Sequence, residues 1–167
     1  WHSTATFGTF GAAAAVANLL DLPRERVRHA LNIAASMPAG LWRNFGSDTK
    51  PMHAGHAARA GTMAALLAEQ GFTAGRDAIV GEGGFLDLYT PADGYDESVP
   101  VEPGDPLGIV EHGVHVKKYP CCYFTHTSIE AALTLREEHD IDPDDVSAIE
   151  VTASRGAADA LSHENPS

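Results

Sequence analysis

Between Pro51 and Gln70 the chain carries Ala54, Ala57, Ala58, Gly61, Ala64, Ala65 and Ala68, so a helix formed there has almost no bulky side. The spacing predicts such a helix, with proline at its start and Gly71 just past its end. A helix of this kind packs tightly against several neighbours. Residues 4–20 point the same way. Ala12 to Ala17 have high helical propensity, and Phe7, Phe10, Ala14 and Ala17 fall on one side. Gly8 and Gly11 weaken that helix locally, which makes sense if another backbone comes close and the helix is buried.

Asp21-Leu22-Pro23 ends the first helix and starts a second over 24–36, with Val27, Ala30, Leu31 and Ala34 at core spacing. Ser36 to Gly40 breaks it, and Leu41 to Thr49 is a loop carrying Trp42 and Phe45. Residues 1–90 therefore read as helical. Pro91, Pro100, Pro103 and Pro106, mixed with Gly and acidic residues, make 91–113 a crossing segment. Beyond it, Gly113 to Tyr119 reads as a strand, Thr125 to His139 as a helix and Val146 to Thr152 as an alternating strand. The expected fold class is α+β: a mainly helical part, then the start of an α+β module over 114–167.

Composition narrows the partners. A formal net charge of -12 argues against a nucleic-acid backbone, which needs basic patches. Cys121 and Cys122 are adjacent, and disulfide geometry strains a single peptide unit, so a reducing cytoplasm is the expected location. No apolar stretch reaches the length of a membrane span, so no membrane partner is expected. The chain opens inside a motif without an initiator Met and is read as a piece of a larger one.

Against that acidic background there are only three lysines. Lys50 sits in Asp48-Thr49-Lys50-Pro51-Met52-His53, and Lys117 and Lys118 open a run through Tyr119, Pro120, Cys121 and Cys122 to Thr125-His126. Cations this scarce and this closely boxed point to holding an anion. Trp1-His2-Ser3-Thr4 adds a histidine able to exchange protons near neutral pH. Together they suggest a site for a small carboxylic acid, with lysines as counter-charges and a histidine for proton transfer.

Plainer roles suit the neighbouring residues. Lys118 reads as the partner of a nearby acid. His53 and His56 are three apart and His112 and His115 flank a turn, but zinc needs converging third and fourth ligands, so no metal is expected. His53 is taken as a wall of the site and His56 as helix packing. Cys121 and Cys122 near His126 invite a nucleophile reading. Buried cysteines are more often inert, which leaves Cys122 as a pocket wall. Gly81-Glu82-Gly83-Gly84 lacks phosphate-loop spacing and reads as a turn.

The ordered set Trp1-His2-Ser3-Thr4, Thr49-Lys50-Pro51-Met52-His53-Ala54-Gly55-His56 and Lys117-Lys118-Tyr119-Pro120 with Thr125-His126 resembles the MmgE/PrpD family over nearly the whole chain. The resemblance implies a lyase that dehydrates or decarboxylates a methylcitrate- or aconitate-like di- or tricarboxylate. Epimerisation of a small dicarboxylate, or a silent carboxylate-binding or assembly subunit, are the alternatives. It also implies a homodimer, a large helical domain with a smaller α+β lid, a site in the cleft between them, and no metal or organic cofactor. On this resemblance His2 is the active-site histidine, and Lys50 and Lys117 are the lysines that hold the carboxylates. An earlier segment of the family's chain contributes an Asp and another His. Cys122 departs from the pattern, standing where the family's decarboxylase has a histidine.

Overall fold

The helices of the N-terminal part are decided by local chemistry. In the computed structural model, α1 spans Ser3–Leu19, α2 spans Arg24–Ala34 and α3 spans Thr49–Glu69. Asp21 and Gly71 both take positive φ, 49° and 96°, just past the ends of α1 and α3. The following N–H groups turn back: Leu22 donates to the Ala17 carbonyl at 3.0 Å and Phe72 to that of Leu67 at 2.9 Å. Such closures satisfy carbonyls that a helix end leaves without partners. Pro51 lies in the first turn of α3, where its missing N–H costs nothing.

The structure describes residues 1–90, 94–96, 98, 104 and 106–161. Residues 91–93, 97, 99–103 and 105 of the expected crossing segment, and the tail 162–167, lie outside them. The chain divides into two units, Trp1–Pro100 and Val101–Ser167.

In the first unit, α1, α2 and α3 pack on a core of Ala13, Ala17, Ala30, Ile33, Ala34, Ala64, Ala65 and Ala68, edged by Phe10, Val16, Val27, Leu31 and Leu67. The core is built from small residues because α1 and α3 lie almost backbone to backbone. A Cβ on Gly61 would come within 2.6 Å of both Ala12 Cβ and the Ala13 backbone nitrogen. This close approach also selects the buried face of α1, which is Ala5, Thr6, Thr9, Ala13 and Ala17. The expected face was only half right, since Phe7 and Ala14 are exposed. Gly8 does meet a neighbour, Ala57 Cβ at 3.2 Å, whereas Gly11 faces nothing within 4 Å. Ala54 and Ala58 of α3 are likewise exposed. A short helix, α4 (Phe85–Tyr89), returns Phe85 against Phe10 at 4.8 Å between rings. No described helix is long and apolar enough to cross a membrane.

The second unit contains α5 (Gly108–Glu111), α6 (His126–His139) and α7 (Arg155–Ala160), with 3-10 turns at Tyr123–Thr125 and Pro143–Asp145. The α+β expectation is corrected here. Among the described residues there is no strand, and 113–119 and 146–152 run without ladder partners. Val114, Val116, Ile149 and Val151 are exposed. A helix closes its hydrogen bonds within its own segment, but a strand exists only when a second backbone supplies the other half of each bond. Alternation in sequence marks a face and cannot provide that second backbone. Asp142 and Ser154 instead use their side chains to accept N–H groups of the turn at 143–145 and of α7.

Candidate active site

The first turn of α3 carries Lys50 and, three residues on, His53, a spacing that puts both on one side of the helix. His2 stands immediately before α1 in extended conformation, and its backbone is held from both sides. Its N–H donates to the Gly40 carbonyl at 3.1 Å, and its own carbonyl accepts from the N–H groups of Ala5 at 3.0 Å and Thr6 at 3.1 Å. The side chain is thus aimed from a fixed backbone.

The two histidine rings meet nitrogen to nitrogen, with Nδ1 of His2 3.0 Å from Nδ1 of His53. His53 is only 4% exposed. Gly40, at φ +123°, lets the loop pass close behind it, because a Cβ there would reach to 3.3 Å from His53 Nδ1 and 2.6 Å from Ala5 Cβ. Phe45 presents its ring edge-on to His2 at 4.7 Å between centroids, and Trp42 stacks on Phe45 at 4.7 Å. The Lys50 ammonium rests 3.9 Å from the centre of the Phe45 ring, a cation–π contact. Among the described residues no carboxylate is within ion-pair reach of Lys50. Its charge acts on the His2 imidazole, which packs against the same Phe45 ring.

Burial, then the neighbouring His53 and Lys50, hold His2 below the ordinary histidine pKa. The ring is therefore neutral, and able to accept a proton, at neutral pH. A stability consequence follows from the sign of the shift. Between about pH 6.5 and the lower value of the folded protein, the unfolded chain binds more protons at this position, so stability falls as pH falls through that window. Urea unfolding at pH 7.5 and 5.5 should show this loss, and His2→Asn should make it smaller. An unchanged pH dependence in the variant would mean that His2 titrates normally.

In the second unit Lys117 donates to the Cys121 carbonyl at 2.8 Å and makes no ion pair among the described residues. Lys118 pairs with Glu130 at 2.5 Å, and the Tyr119 hydroxyl donates to the same carboxylate oxygen. The hydrogen bonds from Lys118 and Tyr119 lower the Glu130 pKa, while the bond to Glu130 raises that of Lys118. Lys118 is thereby occupied. Cys122 is a half-buried free thiol, and Cys121 Sγ lies 3.1 Å from Thr125 Oγ1. His126 packs between Tyr119 and Tyr123 and, among the described residues, neither thiol bonds an imidazole. No described group of three His, Cys, Asp or Glu side chains is arranged to hold a metal.

Of the residues singled out from sequence, His2, His53 and Lys50 are brought together in the first unit, while Lys117 and Cys122 belong to the second. Sequence reasoning left Phe45 and Gly40 without a role at the site. The aromatic just upstream of Thr49-Lys50-Pro51 and the glycine following Pro38 were the available signals.

Residues 1–98 match the MmgE/PrpD N-terminal domain and residues 119–167 the MmgE/PrpD C-terminal domain. Among curated proteins, cis-aconitate decarboxylase of Homo sapiens is 31% identical over 137 residues, covering 82% of this chain and 28% of the relative. Cis-aconitate decarboxylase of Aspergillus terreus is 33% identical over 144 residues, covering 81% and 29%. That of Mus musculus is 31% identical over 140 residues, covering 82% and 28%. The chain thus spans less than a third of the length of these relatives.

Proposed function

This chain belongs to the MmgE/PrpD family, and on that premise we propose that it supplies part of the active site of a lyase acting on a small, aconitate-like di- or tricarboxylate. The observation that carries the reading is the partly buried His2 imidazole, held below the ordinary histidine pKa, near a Lys50 ammonium that makes no ion pair among the described residues. Chemistry at a carbon beside carboxylates needs those two things. A proton must be taken or given at the carbon, and cations must hold the carboxylates and absorb the developing charge. In a decarboxylation His2 first takes a proton from solvent, the bond to the departing CO2 breaks, its electron pair spreads into the neighbouring unsaturated acid, and the His2 imidazolium delivers the proton that replaces CO2, returning to the neutral ring. In a dehydration His2 removes the C–H proton and hydroxide leaves. Lys50 and Lys117 bind the carboxylates, without metal or organic cofactor, in a cytoplasmic homodimer.

Cys122 favours a second reading within the same class. A thiol where the family's decarboxylase has a histidine removes one acid–base group, which suits a neighbouring acid such as methylcitrate, or epimerisation of a dicarboxylate. Proton NMR of the full-length protein with cis-aconitate, methylcitrate and small dicarboxylates in deuterated water separates these outcomes by product and by deuterium uptake. Lys50→Met and Lys117→Met should each raise KM more than they lower kcat. A charge-assisted hydrogen bond is worth about 1.5–3 kcal/mol, or roughly 10- to 150-fold in affinity. Unchanged KM in both variants, or no turnover of any such acid, would overturn the reading.

A further inference from the structure

We propose that His2 and His53 act as one proton-holding pair, in which the buried His53 ring fixes Nε2 of His2 as the nitrogen that performs the chemistry. This rests on the assignment of His2 to proton transfer, and it gives His53 a different job from the pocket wall its sequence position suggests. His53 is a positioning residue.

The argument begins from the 3.0 Å between the two Nδ1 atoms. A neutral imidazole has one N–H and one bare nitrogen. Two bare nitrogens, or two N–H groups, facing each other at this distance would repel, so one proton lies between the rings. Their tautomers are therefore tied. When His2 Nδ1 carries that proton, its Nε2 is a bare base and His53 is protonated on Nε2. When His53 Nδ1 carries it, His2 bears its own proton on Nε2 and presents a hydrogen-bond donor to substrate. Either way Nδ1 of His2 is committed to its partner, and Nε2 is left for substrate.

The same bond serves the charged step. When His2 Nε2 takes a proton from a substrate carbon, its Nδ1–H remains donated to the lone pair of His53, which stabilises the imidazolium. When Nε2 gives the proton up, to a departing hydroxyl group or to a carbon, the neutral pair is restored. Besides its partner ring, Lys50 is a charged group acting on His2, and it is positive. His53 is fit for the task because its ring is fixed by burial and by the loop passing at Gly40.

The test has two arms on the full-length protein. The first is long-range proton–nitrogen NMR of the unmodified, nitrogen-15-labelled protein at pH 7.5. The pair requires one of the two rings, His2 or His53, to be protonated on Nδ1 and the other on Nε2. Both rings protonated only on Nε2 would overturn it. The second arm is kinetic. His53→Phe should lower kcat by roughly 10- to 100-fold, the scale on which loss of a group orienting a working imidazole is felt, with KM within about twofold. The low-pH limb of its rate profile should move. His53→Asn, whose amide reaches the place of Nδ1, should recover part of the rate. Normal kcat with an unmoved pH limb, or a rise in KM alone, would make His53 a packing or substrate-contact residue and overturn the proposal. If His2→Ala keeps its turnover, the assignment of His2 to catalysis fails, and the NMR arm still decides the pairing. If the Phe variant does not fold, the NMR arm and His53→Asn decide it.

Discussion

Replacing His2 by alanine is expected to lower kcat by about 100- to 10,000-fold while leaving KM within a few-fold, because general acid–base help is realised only in the transition state. On the proposed reading, binding of the acid in the ground state rests on the lysines, which the substitution leaves in place. Steady-state kinetics of the full-length variant checks this, with circular dichroism to show that α1 still forms. His2 is the residue before α1, and its helix contacts are made through its own backbone carbonyl. The fold therefore tolerates loss of the ring. A variant with near-normal kcat would show that another residue handles the proton.

The second large effect concerns stability. Gly61→Ala places a methyl group against the Thr9 carbonyl and 2.6 Å from both Ala12 Cβ and the Ala13 nitrogen. These are chiefly backbone atoms of a hydrogen-bonded helix and cannot swing aside. The helix-propensity gain of replacing glycine, about 1 kcal/mol, is outweighed by overpacking, which costs about 1–3 kcal/mol and more where the backbone must move. A net loss of about 2 kcal/mol or more is expected in urea unfolding. Gly11→Ala is the control. It meets nothing within 4 Å, so only the propensity gain of roughly 0.5–1 kcal/mol should be seen. Equal stability of the Gly61 variant and its parent would mean that α1 and α3 can separate freely.

Both predictions depend on positions whose importance was unequally visible in sequence. His2, Lys50 and His53 stand in motifs whose residue types already suggest proton transfer and anion binding. Nothing in those motifs says that the two histidines share a hydrogen bond, since 51 residues separate them along the chain. The role of Phe45 was invisible for the same reason. Its contacts with His2 and Lys50 arise because the loop after α2 folds back over the starts of α1 and α3.

What the sequence determined by itself is whatever closes within a few residues. The three long helices, the turns at Asp21 and Gly71, and the helix after Thr125 depend on propensity and on hydrogen bonds made inside one segment. The residue types of the candidate site belong here too, because scarce lysines and a motif histidine are visible without coordinates. Tertiary structure decided the rest. In a helix as uniformly small as α1, periodicity has too little contrast to mark the buried side, and the approach of Gly61 chose Thr9 and Ala13 over Phe7 and Ala14. The alternation over 113–119 and 146–152 could specify only a face, and a strand requires a second backbone that no described residue provides. The pairing of His2 with His53 likewise exists only once α1, α3 and the Gly40 loop are packed, because a hydrogen bond is a property of two positions in space.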